Sequence, residues 1–252
     1  MKKIAVALLF MASVSLVGAQ TLQTLVSFDG TNGENPNALS LGADGNFYGT
    51  TLQGGMTNSG GGQGYGTVFQ VTTNGALTTL FSFNVTNGAN PSALTLGNDG
   101  NFYGTTQYYT NLNDGRGYGT VFQITTNGTL TTLAFFNGTN GADPNGLTLG
   151  TDGNFYGTTG QGGAAYNGQN VGVGTVFKLV VPPTINAFAL SNNVPEASIS
   201  GLARPWVQIQ ATSNLLSAWT VLTNLSFSSG ASQFSDPAAT NFSMRFYRLM
   251  VQ

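Results

Sequence analysis

Apolar residues in this chain fall in short runs punctuated by glycine, asparagine and aspartate, and the runs recur as a set. In the clearest copy Leu94-Thr-Leu-Gly97 alternates, Asp99-Gly100 follows, and Asn101-Phe-Tyr-Gly-Thr-Thr106 comes next. Asp-Gly between two apolar stretches predicts a tight two-residue hairpin turn. Phe102 and Tyr103 are adjacent, so a strand sends them to opposite faces, which predicts a sheet covered on both sides. Gly104 in the same strand predicts a close approach by another backbone or ring.

The octapeptide Asp99–Thr106 recurs unchanged at Asp44–Thr51 and Asp152–Thr159, and Pro36, Pro91 and Pro144 lie 55 and 53 residues apart. A period of this length signals stacked supersecondary units. The second unit reads as strands at Ala93–Gly97, Asn101–Thr106, Thr120–Thr126 and Thr129–Phe136. Four strands per unit predict the blade of a β-propeller. Asn74-Gly75 and Asn127-Gly128 predict a tight hairpin between third and fourth strands, whereas glycine-rich loops (Leu52–Gly66, Gln107–Gly119, Gly160–Gly174) join the second to the third. Asn87–Pro91, with counterparts at Asn32–Pro36 and Asn140–Pro144, reads as the crossover between units, its proline expected to keep the preceding residue extended.

The flanks read differently. Met1-Lys-Lys3, an apolar run from Ile4 to Val17 and Gly18-Ala19 form the pattern of a signal peptide over residues 1–19, so secretion to the extracellular space or cell envelope is expected, with no transmembrane segment afterwards. The repeat region spans residues 20–181. At Val181-Pro-Pro183 the composition shifts, and residues 182–252 read as a small β-sandwich with strands at Ile185–Leu190, Ala197–Gly201, Trp206–Ala211, Trp219–Leu222, Ser232–Ser235 and Met244–Val251. Trp206, Trp219, Phe246 and Tyr247 are expected in its core. The fold class is therefore all-β: three four-stranded propeller-type blades followed by a small sandwich.

Composition narrows the chemistry. The 252 residues hold no cysteine and no histidine, which removes disulfides, thiolate zinc and the usual general base. With Lys2 and Lys3 removed from seven basic residues, against nine acidic ones, the net charge is −4, and no nucleic-acid partner is expected. Turn formation accounts for Asp44, Asp99 and Asp152, so Asp99→Asn is expected to be nearly silent. Asp29, Glu34, Asp114 and Asp143 are scattered over loops without the spacing of paired glycosidase carboxylates. No cofactor, metal or catalytic residue is expected, and the chain reads as non-enzymatic. Loops on a fixed scaffold can vary without cost to the core, and Tyr65, Tyr108, Tyr109, Tyr118 and Tyr166 lie in or beside them. Those five tyrosines are the candidate ligand-binding residues, able to stack on flat ligands or simply to pack the loops down.

The repeat resembles the choice-of-anchor tandem repeat proteins called GloVer. Their unit runs as proline, a leucine-rich strand, Asp-Gly-x-Phe-Tyr-Gly-Thr-Thr, a Gly-Gly loop, Gly-Thr-Val-Phe and a Thr/Leu/Phe strand. Here the pieces are Asp44–Thr51, Gly54-Gly55, Gly66–Phe69 and Leu77–Phe83, with two further rounds, over about two thirds of the chain. The resemblance implies a propeller-like secreted bacterial protein from a family without an established activity. This chain departs from it in having three units and no apolar anchor after Phe246. Residues 182–252 resemble the immunoglobulin-like modules of such proteins, through Trp219-Thr-Val-Leu222 and Arg245-Phe-Tyr-Arg248.

A secreted scaffold that binds an unknown protein or polysaccharide is the first reading of function, a carbohydrate-binding protein the second, and a polysaccharide hydrolase or lyase the third. Thr21–Phe28 resembles the fourth strands Leu77–Phe83 and Leu130–Phe136 yet precedes any first strand, and the third unit lacks a fourth strand. Three blades are fewer than the four to eight that close a ring. The expectation is an open arc, residues 21–28 lying on the first unit and residues 183–252 or a partner covering an exposed face. A six-bladed assembly of two chains is the alternative, and self-association through open edges follows from either.

Overall fold

A computed structural model describes residues 21–55, 64–109, 117–168, 171–202, 204–227 and 231–251. The expected signal peptide lies outside the described residues. Among those described the chain is all-β, its strands pair antiparallel in five sheets, and no helix is long and apolar enough to cross a membrane.

Each octapeptide becomes the second strand of a unit. In unit one β1 (Glu34–Pro36) and β2 (Ser40–Leu41) both pair with β3 (Phe47–Gln53), followed by β4 (Thr67–Val71) and β5 (Leu77–Ser82). Unit two repeats this with β6 (Ala89–Pro91), β7 (Thr95–Leu96), β8 (Phe102–Tyr108), β9 (Thr120–Ile124) and β10 (Leu130–Phe135). Unit three has β11 (Ala142–Leu149), β12 (Phe155–Gln161) and β13 (Thr175–Leu179). It is three-stranded among the described residues, in keeping with the missing fourth strand read from its sequence and short of the four-stranded blade expected for the fold class. Pro182 and Pro183 follow two residues after β13, and proline cannot donate to a ladder, so no further strand pairing continues through them.

The crossover prolines are part of the sheets, a second correction. Glu34 pairs with Gln53 and Pro36 with Thr51, and Ala89 and Pro91 pair with Tyr108 and Thr106. The residue before each proline is left-handed rather than extended: Asn35, Asn90 and Asp143 have φ of 57°, 55° and 54°. Asparagine and aspartate tolerate this region better than other residues. It turns the Asn90 N–H to the Tyr65 carbonyl (3.0 Å) and the Asp143 N–H to the Tyr118 carbonyl (3.2 Å), tying each unit to the loop of the one before.

The hairpins carry three-residue loops, not two. Gly97 N–H donates to the Asn101 carbonyl (2.8 Å) and Gly100 N–H to the Gly97 carbonyl (3.1 Å), with Gly100 at φ 81°. A type I turn closed by a left-handed glycine gives this pattern. Thr125, Gly128 and Thr129 repeat it between β9 and β10.

Two-sided coverage is realised by stacking units. Phe102 and Tyr103 are both fully buried, Phe102 against unit one and Tyr103 against unit three. Tyr48 meets Phe102 at 4.3 Å between ring centroids, and Tyr103 meets Phe155 at 4.2 Å. Such a buried ring contributes about 1.5–3 kcal/mol relative to exposure. At Gly104 a Cβ would lie 2.6 Å from Phe122 Cζ, so the bare backbone makes room for that ring.

Residues 182–252 supply β14 (Thr184–Ser191), β15 (Val194–Ser200), β16 (Arg204–Thr212), β17 (Thr220–Phe227), β18 (Ala231–Ser235) and β19 (Phe246–Val251). Sheet β14-β15-β18 and sheet β17-β16-β19 enclose Ala197, Ile199, Val207, Ile209 and Phe234, with Tyr247 packed against them. Trp219 does not join this core: it is half-buried, with the Arg248 guanidinium 4.4 Å from its ring centre. The Trp206 side chain lies outside the described residues. Leu202, between β15 and β16, is fully buried in the other direction, among Tyr103, Leu147 and Phe155. The C-terminal region thus plugs the seam between units two and three. It leaves the outer face of unit three open, where Val176 is 80% exposed.

Candidate functional site

The turn aspartates do more than shape turns. Asp99 Oδ2 accepts the Tyr103 hydroxyl (2.8 Å) and the Asn101 side-chain amide (3.0 Å), and Gln123 Nε2 donates to the same hydroxyl (2.7 Å). Asp44, Asn46, Tyr48 and Gln70 repeat the arrangement. In unit three Lys178 replaces the glutamine and lies 3.2 Å from Asp152 Oδ2. The Asn154 amide first, then the Tyr156 hydroxyl and Lys178, hold the Asp152 carboxyl far below its ordinary range. In units one and two the cluster fixes the tyrosine at the seam with the next unit, so its role is positional; in unit three it holds Tyr156 on the open outer face, 37% exposed. The expected silence of Asp99→Asn is corrected on these contacts.

The glycine-rich loops form a cleft that gathers several of the candidate tyrosines. Its walls come from the end of β8 (Gln107, Tyr108), the returning loop (Gly117, Tyr118), the start of β11 (Ala142, Asp143), the end of β12 (Gln161) and the loop after it (Tyr166, Gly168, Val171). It encloses about 400 Å³. The Tyr118 and Tyr166 hydroxyls are 2.6 Å apart, and their rings meet edge to face at 5.9 Å. A Cβ at Gly138 would fall 2.5 Å from Tyr166 Cζ, so that glycine lets the ring lie flat on the backbone. Gly162 N–H to the Val171 carbonyl (2.6 Å) and Gly174 N–H to the Gly162 carbonyl (3.1 Å) pin the base of the last loop.

Of the five candidate tyrosines, three converge here: Tyr108, 52% exposed, with Tyr118 and Tyr166. Tyr65 and Tyr109 do not. Tyr65 packs against the core between units one and two, and Tyr109 stacks on Phe135 at 4.7 Å. These contacts favour packing over ligand contact for the two. Gln107, Gln161 and Asp143 join the site without having been singled out for it. The signal that marks Asp143 is its place before the crossover proline, which turns it toward Tyr118. Asp29 is engaged in its own turn, accepting from the Thr31 hydroxyl (2.8 Å) and the Asn32 N–H (3.1 Å), and Asp114 lies outside the described residues.

The arrangement offers aromatic faces, amides and a carboxylate with no Lys or Arg among the described lining residues. That set suits a neutral ligand rich in hydroxyl groups: ring faces take C–H surfaces, and amides and carboxylate take hydroxyls.

No family model matches the chain, and no curated protein matches it. Among solved structures it is similar to an X-ray structure described as a "putative gluconolactonase", at 16% identity and a TM-score of 0.32. The likeness covers 64% of this chain and 54% of that one, about half the neighbour's length. That neighbour's description names an enzyme, against the expectation of a non-enzymatic chain. At this level of similarity it assigns no activity to the cleft either.

Proposed function

We propose that the chain is a secreted or cell-envelope scaffold that binds a saccharide ligand in the cleft between units two and three. In this reading the three units are propeller-type blades and residues 182–252 an immunoglobulin-like module. The observation that carries it is the convergence of Tyr108, Tyr118 and Tyr166 with Gln107, Gln161 and Asp143 on one cleft of about 400 Å³, a size suited to small ligands. The basic head, apolar run and Gly18-Ala19 of the N-terminus support export. The resemblance to the GloVer repeat supports the same location.

A panel of immobilised neutral and acidic polysaccharides, probed with the mature protein, tests the reading. Retention on a neutral glycan, relieved by its soluble oligosaccharide, is the expected result. Retention on none of them, or only on acidic polymers in low salt, would remove the saccharide assignment.

A further inference from the structure

Each unit presents two faces, and the chain shows how they fit. The trailing face of unit one carries Tyr48 and Val68, that of unit two Tyr103 and Val121, all 1% exposed or less because the next unit covers them. On unit three the equivalent residues are open: Tyr156 is 37% and Val176 80% exposed. The leading faces mirror this, with Leu94 and Leu147 buried at 5% and 7% but Leu39 of unit one 52% exposed. The arc therefore ends in two apolar faces that already bind each other twice within the chain.

The backbone shows the same complementarity. Residues 21–28 occupy, on unit one, the place that a preceding unit's fourth strand takes. Phe28 meets Phe69 at 5.0 Å as Phe83 meets Phe122 (5.3 Å) and Phe136 meets Phe177 (5.0 Å). A Cβ at Gly75 would lie 2.7 Å from the Leu25 carbonyl oxygen, and one at Gly128 2.6 Å from that of Leu80. Yet residues 21–28 pair with no strand among the described residues, and β13 pairs only with β12. Polar donors repeat the pattern. Ser40 Oγ reaches the Leu94 carbonyl and Thr95 Oγ1 the Leu147 carbonyl, at 2.5 and 2.6 Å, while Thr148, next in the series, is exposed.

We infer that two copies of the chain close head to tail, unit three of each seated on unit one of the other, with residues 21–28 of one copy supplying the fourth strand beside β13 of the other. Six units fall within the four to eight that close a ring. A heterologous contact that closes after two copies leaves no sheet edge at the seams. The register follows from β4 with β5, where Thr78 pairs with Gln70 and Phe81 with Val68. Gln23 of one copy faces Lys178 of the other, and Val26 faces Val176.

Light scattering on the mature chain reads the assembly. Twice the chain mass is expected, falling to one chain mass in Val176→Asp, whose side chain is solvent-exposed in the single chain, and unchanged in Leu216→Asp on a distant loop. A single-chain mass for the unaltered protein, a pair that survives Val176→Asp, or open polymers overturns the inference. Because the chain has no cysteine, a mixture of the Gln23→Cys and Lys178→Cys proteins reads the strand exchange independently. A disulfide joining two chains is expected in the mixture. Its absence, or closure within single chains of the double variant, overturns the exchange.

Discussion

The Tyr103 hydroxyl donates to Asp99 Oδ2 at 2.8 Å, and the ring that carries it is completely buried between units two and three. The carboxylate also receives the backbone N–H and side-chain amide of Asn101. An asparagine at position 99 turns one acceptor into a donor facing donors. Losing a hydrogen bond to a charged group costs about 1.5–3 kcal/mol, so Asp99→Asn is expected to destabilise by about 2 kcal/mol in urea unfolding. A midpoint equal to that of the unaltered protein would show that Asn rebuilds the cluster.

Two glycines with similar backbone angles separate conformational strain from collision. Gly100 has φ 81° and open space where a Cβ would stand, so Gly100→Ala is expected to cost about 1 kcal/mol. At Gly119, φ 93°, the added carbon would lie 2.3 Å from the Thr106 carbonyl oxygen and 2.5 Å from Pro144 Cδ. Gly119→Ala should cost clearly more, about 3 kcal/mol or above. Equal unfolding midpoints for the two variants would contradict this ranking.

Much of this was legible in the sequence. Alternation, the repeated octapeptide and the turn dipeptides located the strands, and all six C-terminal strands overlap the segments expected, although β17 runs on to Phe227, five residues past the expected end. The adjacency of Phe102 and Tyr103 foretold a sheet buried on both faces. Three features were not legible. A left-handed residue before proline runs against the usual steric preference, so Asn90-Pro91 read as a crossover between units when it is sheet. Loop tyrosines are alike in sequence, and only the fold separates Tyr166 in the cleft from Tyr109 on Phe135. Leu202 sits about 100 residues from Tyr103, and no local pattern announces a contact made across that distance.

Leu202 supplies a prediction of its own. It is fully buried among Tyr103, Leu147 and Phe155, so truncating it leaves a void there. Leu202→Ala should destabilise by about 2–5 kcal/mol, whereas Leu216→Ala, at a position 96% exposed, should leave the melting temperature unchanged. Similar melting temperatures for both variants would mean that the seam does not depend on the C-terminal plug.

Asp152 gives the chain an acid-sensitive contribution. Its folded carboxyl titrates far below the ordinary value of 3.8, through Asn154 first and then Tyr156 and Lys178. A depressed folded value means the contribution is whole above about pH 4 and is lost as pH falls below it. The melting temperature of the unaltered protein should drop on acidification through that window, and that of Asp152→Asn should drop less. Parallel curves would place the acid sensitivity elsewhere. The ion pair with Lys178 is largely solvent-exposed, so the effect is small.

The cleft between units two and three is the centre of the account, and calorimetric titration measures it most directly. The titrant is the oligosaccharide of whichever neutral glycan retains the mature protein. Replacing Tyr108, which is exposed and half outside the packed core, removes a ring face without removing a structural contact of the seam. Tyr108→Ala is expected to raise Kd at least tenfold, about 1.4 kcal/mol, with the melting temperature of the free protein unchanged. An unaltered Kd in Tyr108→Ala would contradict the assignment of this cleft as the binding site.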